Sequence, residues 1–290
     1  MIVDSHQHFW QVGRFDYPWM TPELGVLCRD YLPPALRPIL ERNGVSRTVL
    51  VQASNSIDET RWLLRLADEN PFIAGVVGWV DLQGDDVGDQ LQELTAHAKF
   101  KGVRHLSESE PADDWIAQPR VIHGLRELAS RGLAYDLLVH TRHLKYARTA
   151  VNECRDLRFV IDHAAKPPVA RAEIDEWARE LKSLAGAANV WCKLSGLVTE
   201  ANWSNWRVED FVPYVDKVLE YFGPQRMMFG SDWPVCLLAA SYEQVIETFQ
   251  TLLAELNDDD RELIFSRNAL GFYRIEEEIE SVPGAVATGS

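Results

Sequence analysis

The sequence predicts a single (β/α)8 barrel, an α/β fold in which eight parallel strands alternate with helices. Eight short apolar runs recur along the 290 residues, and each ends in polar or charged residues. Amphipathic helical patterns separate these runs. Eight such units fit a closed barrel, which we place at residues 1–280, with residues 281–290 as a flexible tail. A doubly wound open sheet is disfavoured because no Gly-rich turn follows the first strand.

The order of the elements follows from these patterns. The predicted strands lie at residues 2–5, 48–52, 73–80, 102–105, 134–139, 159–162, 190–194 and 227–231. The predicted helices lie at residues 60–70, 87–98, 119–132, 144–154, 171–184, 208–222, 242–256 and 258–265. Residues 9–38, rich in Trp and Pro, predict a long irregular loop after the first strand. On a barrel such a loop covers the active-site mouth.

Composition excludes several classes of function. The net charge of −15 and the lack of a Lys/Arg cluster argue against nucleic-acid binding. We find no apolar run near the roughly 20 residues that span a bilayer. The four cysteines are far apart in sequence and form no CxxC pair, which predicts reduced thiols and a cytoplasmic protein. The expected partner is a small molecule, and a homo-oligomer is left open.

The most informative motif is His6-Gln7-His8, which directly follows the first apolar run. In an extended strand, residues i and i+2 point to the same side, so the two imidazoles can converge on one point. Two converging imidazoles suit a divalent metal or a substrate carbonyl. The alternative is a disordered N-terminus with two solvated histidines.

Further polar residues follow the other predicted strands, where barrel enzymes carry their catalytic groups. The candidates are Arg104, His105, His140, His163, Lys166 and Asp232, with the tryptophans Trp10, Trp79 and Trp233 as possible sugar-stacking residues. Each has a structural alternative. Asp232 can cap a turn, the histidines can be buried structural residues, Arg104 can pair with a carboxylate, and the tryptophans can serve packing alone.

Five segments together resemble the amidohydrolase superfamily, and within it the branch of sugar-lactone hydrolases and 2-pyrone-4,6-dicarboxylate lactonases. They are Asp4-Ser-His-Gln-His8-Phe-Trp10, Gly102-Val-Arg-His105, Asp162-His-Ala-Ala-Lys-Pro167, Lys193-Leu-Ser-Gly196 and Phe229-Gly-Ser-Asp-Trp-Pro234. They run from the first strand to the last, so the resemblance covers nearly the whole chain. It implies a (β/α)8 barrel and a hydrolase that acts on carboxylic esters.

The resemblance also implies a metal-ligand set, formed by His6, His8, His140 and Asp232. Binuclear members bridge two metals with a carboxylated Lys or a Glu at the end of strand four. This sequence has Arg104 there, and a guanidinium offers no lone pair. We therefore expect at most one divalent ion, with zinc favoured, or none.

For the reaction, we expect Asp232 to activate water, with its pKa raised by burial, while His6, His8 and His163 polarise a lactone carbonyl. Trp10, Trp79, Arg104, His105, His140, Lys166 and Trp233 are the expected substrate-binding residues. The leading substrates are L-fucono-1,5-lactone and a related L-rhamnonolactone. The alternatives are a metal-dependent decarboxylase, a 2-pyrone-4,6-dicarboxylate lactonase, an amide hydrolase and a non-catalytic ligand-binding barrel.

Overall fold

Eight parallel strands form the barrel in a computed structural model that describes residues 1–276. The last four residues of the predicted barrel and the predicted tail, 281–290, lie outside the described residues. The strands are β1 (Ile2–Gln7), β2 (Val45–Val51), β3 (Ile73–Gly78), β4 (Phe100–Arg104), β5 (Ala134–Leu137), β6 (Arg158–Ile161), β7 (Val190–Leu194) and β8 (Met227–Phe229). Within these residues no helix has the length and apolar character needed to cross a membrane.

The sheet follows chain order from β1 to β8, with every neighbouring pair parallel. Two backbone hydrogen bonds join its edges: Asp232 donates to the carbonyl of His6 at 2.8 Å, and His8 donates to the carbonyl of Trp233 at 2.7 Å. The predicted (β/α)8 barrel is confirmed. The closing contact also brings the motif after β8 against the His-X-His motif.

Helices connect the strands on the outside of the barrel. They are α1 (Pro33–Arg42), α2 (Ile57–Glu69), α3 (Val87–Thr95), α4 (Pro119–Ser130), α5 (Leu144–Glu153), α6 (Asp175–Ala185), α7 (Leu197–Glu200), α8 (Val212–Phe222), α9 (Tyr242–Leu252), α10 (Asp258–Glu262) and α11 (Asn268–Phe272). The predicted irregular loop 9–38 is wrong at its end, since α1 begins at Pro33. A proline in the first turn of a helix loses no hydrogen bond, so it starts this helix instead of excluding it.

The segment between β1 and α1, residues 8–32, is called the first loop below. Trp10 Nε1 donates to the carbonyl of Arg29 at 2.9 Å, and backbone bonds pair Trp10 with Tyr31. Trp19 Nε1 donates to the carbonyl of Ala53, which follows β2, at 2.7 Å. The loop is thus fastened to itself and to the rim of the barrel.

The opposite end of the barrel is closed by α11 and the residues after it. Leu270, Phe272 and Tyr273 pack against interior side chains such as Val3 and Val77. Lys101, near the start of β4, donates to the carbonyl of Arg274 at 3.0 Å. This plug covers the ends where the strands begin, so the open end is the one where the strands finish.

Candidate active site

A cavity of about 390 Å³ opens at the carboxyl ends of the strands, a size typical of small-ligand sites. The first loop contributes apolar side chains, Trp19, Leu24 and Leu27 among them. The loop after β8 adds Val235 and Leu238. The polar residues that line it are His8, Arg104, Glu108, His163, Lys166, Thr199, Glu200 and Asp232.

The His-X-His motif places two imidazoles side by side at this end of β1. The Nε2 atoms of His6 and His8 lie 3.1 Å apart, and both side chains are buried. His8 Nδ1 lies 2.8 Å from the carbonyl oxygen of Val51, which can only accept a hydrogen bond. His8 therefore carries its proton on Nδ1 when neutral, and its Nε2 presents a lone pair to the site.

Asp232 faces these imidazoles from the turn after β8. Its backbone is in the left-handed region, φ 58°, which Asp tolerates better than most residues. Its Oδ1 lies 3.4 Å from His8 Nε2, 3.7 Å from His6 Nε2 and 3.9 Å from His163 Nε2. We call His6, His8, His163 and Asp232 the mouth cluster. The four residues predicted as catalytic lie together.

Burial sets the charge state of the mouth cluster. It lowers the pKa of His163 to about 4 and the pKa of His6 well below its ordinary value, so both imidazoles are neutral near pH 7. Burial raises the pKa of Asp232, but the His163 and His8 imidazoles, when protonated, and the Arg104 guanidinium outweigh it, so the net shift of that pKa is downward. The expectation of a raised pKa for Asp232 is therefore wrong, because these neighbouring groups outweigh burial.

His163 is positioned by the turn after β6 and by the start of α7. Its backbone is left-handed, φ 53°, and its Nδ1 lies 2.9 Å from Ser195 Oγ. A Cβ on Gly196 would stand 2.5 Å from that same Nδ1, and Gly196 has φ 62°. Only glycine meets both demands, so this Gly lets α7 begin directly against the imidazole.

Beneath the mouth cluster lies a group of buried charges. Arg104 Nη1 lies 3.2 Å from Asp162 Oδ2 and 3.3 Å from His6 Nε2. Lys193 Nζ lies 3.0 Å from both His6 Nδ1 and Asp162 Oδ1. Arg104 lines the cavity, as predicted, but its guanidinium is held by Asp162 and by the carbonyl of Gln52.

The donor atoms of the mouth cluster fit a single divalent ion. His6 Nε2, His8 Nε2 and Asp232 Oδ1 lie within 3.1–3.7 Å of one another. This two-His, one-carboxylate set matches the ligand types and close spacing of a zinc site. His140, predicted as a further ligand, belongs to no metal-capable group among the described residues, since its Nε2 lies 3.2 Å from Glu108 Oε2.

Four predicted substrate-binding residues do not line the cavity: Trp79, His105, His140 and Trp233. His105 stacks on Trp115 with ring centroids 3.8 Å apart, and Trp79 Nε1 donates to its Nδ1. Trp233 is buried against Tyr31. All four follow strands, but none of their side chains lines the cavity. Trp10 and Lys166 do line the cavity.

Sequence reasoning missed Glu108, Glu200 and the buried pair Asp136–Lys193. Lys193 entered only as part of the segment Lys193-Leu-Ser-Gly196, although a charged residue inside an apolar strand signals an interior ion pair. Glu200 lies in the short helix α7, which no apolar periodicity marked. Position alone therefore did not distinguish it from a surface glutamate.

Comparison with known proteins adds four findings. A model of the amidohydrolase family matches residues 3–275. An L-fucono-1,5-lactonase of Burkholderia ambifaria is 40% identical over 286 residues, which cover 94% of this chain and 96% of that protein. An L-fucono-1,5-lactonase of Burkholderia multivorans is 37% identical, covering 96% and 98%. A crystal structure of a B. multivorans amidohydrolase with bound zinc has a TM-score of 0.89 and 37% identity, covering 95% of this chain and 100% of its own.

Proposed function

Because the chain belongs to the amidohydrolase family, we propose that it hydrolyses a sugar lactone to the sugar acid, with L-fucono-1,5-lactone as the leading substrate. One observation carries the proposal. The Asp232 carboxylate lies within 3.9 Å of three buried imidazoles at a cavity large enough for one sugar ring. The names of the relatives that match nearly end to end support the choice of sugar.

Hydrolysis of a lactone proceeds through a tetrahedral oxyanion. Asp232 takes a proton from the attacking water, and its lowered pKa keeps it ionised for this step near pH 7. The Arg104 guanidinium and an imidazole N–H of the mouth cluster stabilise the oxyanion. When the ring C–O bond breaks, Asp232 returns the proton to the leaving alkoxide, which completes the acid and its free hydroxyl.

A zinc ion held by His6, His8 and Asp232 would supply Lewis-acid polarisation of the carbonyl and acidify the attacking water. The close set of donor atoms supports one such ion. The presence of Arg104 at the end of β4 argues against a second, bridged ion. The sequence leaves open whether turnover needs the ion, and chelation tests it.

The charges of the cavity favour a neutral lactone over a dicarboxylate. Its two cationic residues already have carboxylate partners, since Lys166 Nζ lies 2.5 Å from Glu108 Oε2 and Arg104 pairs with Asp162. Arg142, which follows β5, pairs with Asp113 and does not line the cavity. The apolar side chains of the first loop suit the methyl group of a deoxy sugar.

A lactone panel tests the proposal directly. Acid release is followed with a pH indicator for L-fucono-1,5-lactone, an L-rhamnonolactone and 2-pyrone-4,6-dicarboxylate, each against its spontaneous rate. We expect the highest kcat/KM with L-fuconolactone and L-fuconate as the product by NMR. The panel is repeated after chelation and after zinc addition, with bound zinc measured by mass spectrometry. A protein that accelerates no lactone would overturn the proposal.

A metal-dependent decarboxylase is the alternative in a different reaction class. It would release CO2 from a carboxylic acid and would not acidify the medium by opening a lactone. Headspace CO2 measured with a set of hydroxybenzoates separates the two reactions. The cytoplasmic location stays a prediction, and light scattering determines the oligomeric state, which the sequence leaves open.

A further inference from the structure

Apart from Asp232 of the mouth cluster, the charged residues of the cavity are already paired, with one exception. Lys166 and Glu108 form an ion pair, and Arg104 is bound to Gln52 and Asp162. Glu200 also lines the cavity, yet it forms no hydrogen bond or ion pair with any residue that the structure describes. Its acceptor oxygens are therefore available to a ligand.

The fold holds Glu200 next to the mouth cluster. Glu200 ends α7, the short helix that begins at the left-handed Gly196 directly against the His163 ring. Thr199 Oγ1 donates to the carbonyl of Gly196 at 2.7 Å and secures this turn. The same turn thus positions His163 through Gly196 and carries Glu200 into the cavity.

The surroundings of Glu200 explain what it can bind. Burial removes part of the hydration of Glu200 and raises its pKa above the ordinary value. The nearby charge of Lys166 opposes this rise but does not cancel it. A half-buried carboxylate without a partner is stabilised by hydrogen-bond donors that a ligand brings. Hydroxyl groups are neutral donors of this kind, whereas a ligand carboxylate is repelled by like charge.

We propose that Glu200 is the specificity-determining residue of this cavity and accepts hydrogen bonds from the ring hydroxyls of the lactone. The inference rests on the proposed lactonase function. It identifies the side chain that makes the enzyme selective for polyhydroxy lactones over lactones without hydroxyl groups. Hydrogen bonds to a charged group contribute enough binding energy to change kcat/KM by about tenfold to a hundredfold.

The test compares two six-membered lactones, L-fucono-1,5-lactone and δ-valerolactone, which has no hydroxyl groups. Glu200→Ala is expected to lower kcat/KM for L-fuconolactone by about tenfold to a hundredfold, mainly through KM. For δ-valerolactone, kcat/KM, or its inhibition constant against L-fuconolactone, should change less than twofold. Glu200→Gln, which retains one acceptor oxygen, should recover part of the loss.

The matched control is Glu209→Ala, which removes an exposed glutamate and should leave both lactones unaffected. Unchanged δ-valerolactone kinetics also show that Glu200→Ala is folded. An equal loss of kcat/KM on both lactones, or no loss on L-fuconolactone, would overturn the proposed role of Glu200 but would leave the proposed function standing. Wild-type protein that turns over neither lactone would instead overturn the proposed function.

Discussion

The barrel interior contains two groups of buried charges, which consist of similar residue types but differ in spacing and in access to the cavity. Below the mouth, Asp136, Lys193 and Tyr273 form what we call the lower network. Lys193 Nζ lies 2.6 Å from Asp136 Oδ2, and the hydroxyl of Tyr273 donates to the same oxygen at 2.8 Å. In the mouth cluster, Asp232 instead lies 3.4–3.9 Å from its imidazole neighbours and borders the cavity.

The difference shows how one residue type takes a structural or a chemical role. The Asp136 carboxylate has its cation and its hydroxyl donor at short range and no access to the cavity lining. The wider spacing around Asp232 leaves room for a further atom between carboxylate and imidazoles. We predict that the lower network contributes mainly to stability and that the mouth cluster contributes to turnover, with Lys193 joining the two through its contact with His6.

The largest expected effect on stability is at Asp136. Asp136→Asn leaves Lys193 without one of its two carboxylate partners in a fully buried position. Removing one partner of a buried ion pair destabilises by about 3–5 kcal/mol. We expect that decrease in the free energy of unfolding by urea denaturation. The exposed Asp58→Asn variant, which breaks a surface pair with Arg61, should be indistinguishable from wild type.

Glu59 is a buried carboxylate without a cationic partner, and we expect it to make the stability of the protein depend on pH. Glu59 Oε2 accepts hydrogen bonds from the backbone of Ala53 and Ser54, and burial raises its pKa from 4.5 to about 7. The folded protein therefore holds this proton more tightly than the unfolded chain. Its contribution to stability is full below pH 4.5 and is lost as the pH rises through about 7.

Glu59→Gln removes this proton linkage while retaining an acceptor oxygen. Relative to the variant, wild type should lose about 2–3 kcal/mol of unfolding free energy between pH 5 and pH 8. Denaturation at both pH values measures the difference. Glu69→Gln, at an exposed position of the same helix, is the control and should follow wild type. Parallel pH profiles for wild type and Glu59→Gln would contradict the linkage.

A smaller effect is expected where a hydrogen bond orients the mouth cluster. Ser195→Ala removes the contact with His163 Nδ1. One hydrogen bond of about 1 kcal/mol corresponds to about a fivefold decrease in kcat. Steady-state kinetics with L-fuconolactone measure it. Ser107→Ala removes another buried hydroxyl, one bonded to the carbonyl of Leu138, and should leave kcat unchanged.

The barrel could be predicted from the sequence because the periodicity of apolar residues and the alternation of strands with helices are visible in the sequence itself. Each strand is a short apolar run, and the polar residue that ends it marks the same end of the barrel. His6, His8 and Asp232 were therefore identifiable before any distance was known. The helix that begins at Pro33 could not be identified from the sequence. Proline is compatible with the first turn of a helix but usually interrupts a helix elsewhere, so its presence favoured a loop.

Side-chain direction was beyond the sequence. His105 and His163 both follow strands, yet His105 stacks on Trp115 and His163 lines the cavity. The direction of the pKa shift at Asp232 was also predicted wrongly. That direction depends on the balance between burial, which raises the pKa, and two imidazoles from distant strands, which lower it. Such balances exist only once the chain has folded.

Asp232→Asn tests the central claim most directly, because it removes one carboxylate charge from the mouth cluster without changing the size of the side chain. With L-fucono-1,5-lactone, kcat should fall by about 10²–10⁴-fold, as expected for loss of a general base. The free energy of unfolding should stay close to that of wild type. A variant that retains wild-type turnover, or one that is inactive only because it unfolds, would contradict the separation of the mouth cluster from the lower network.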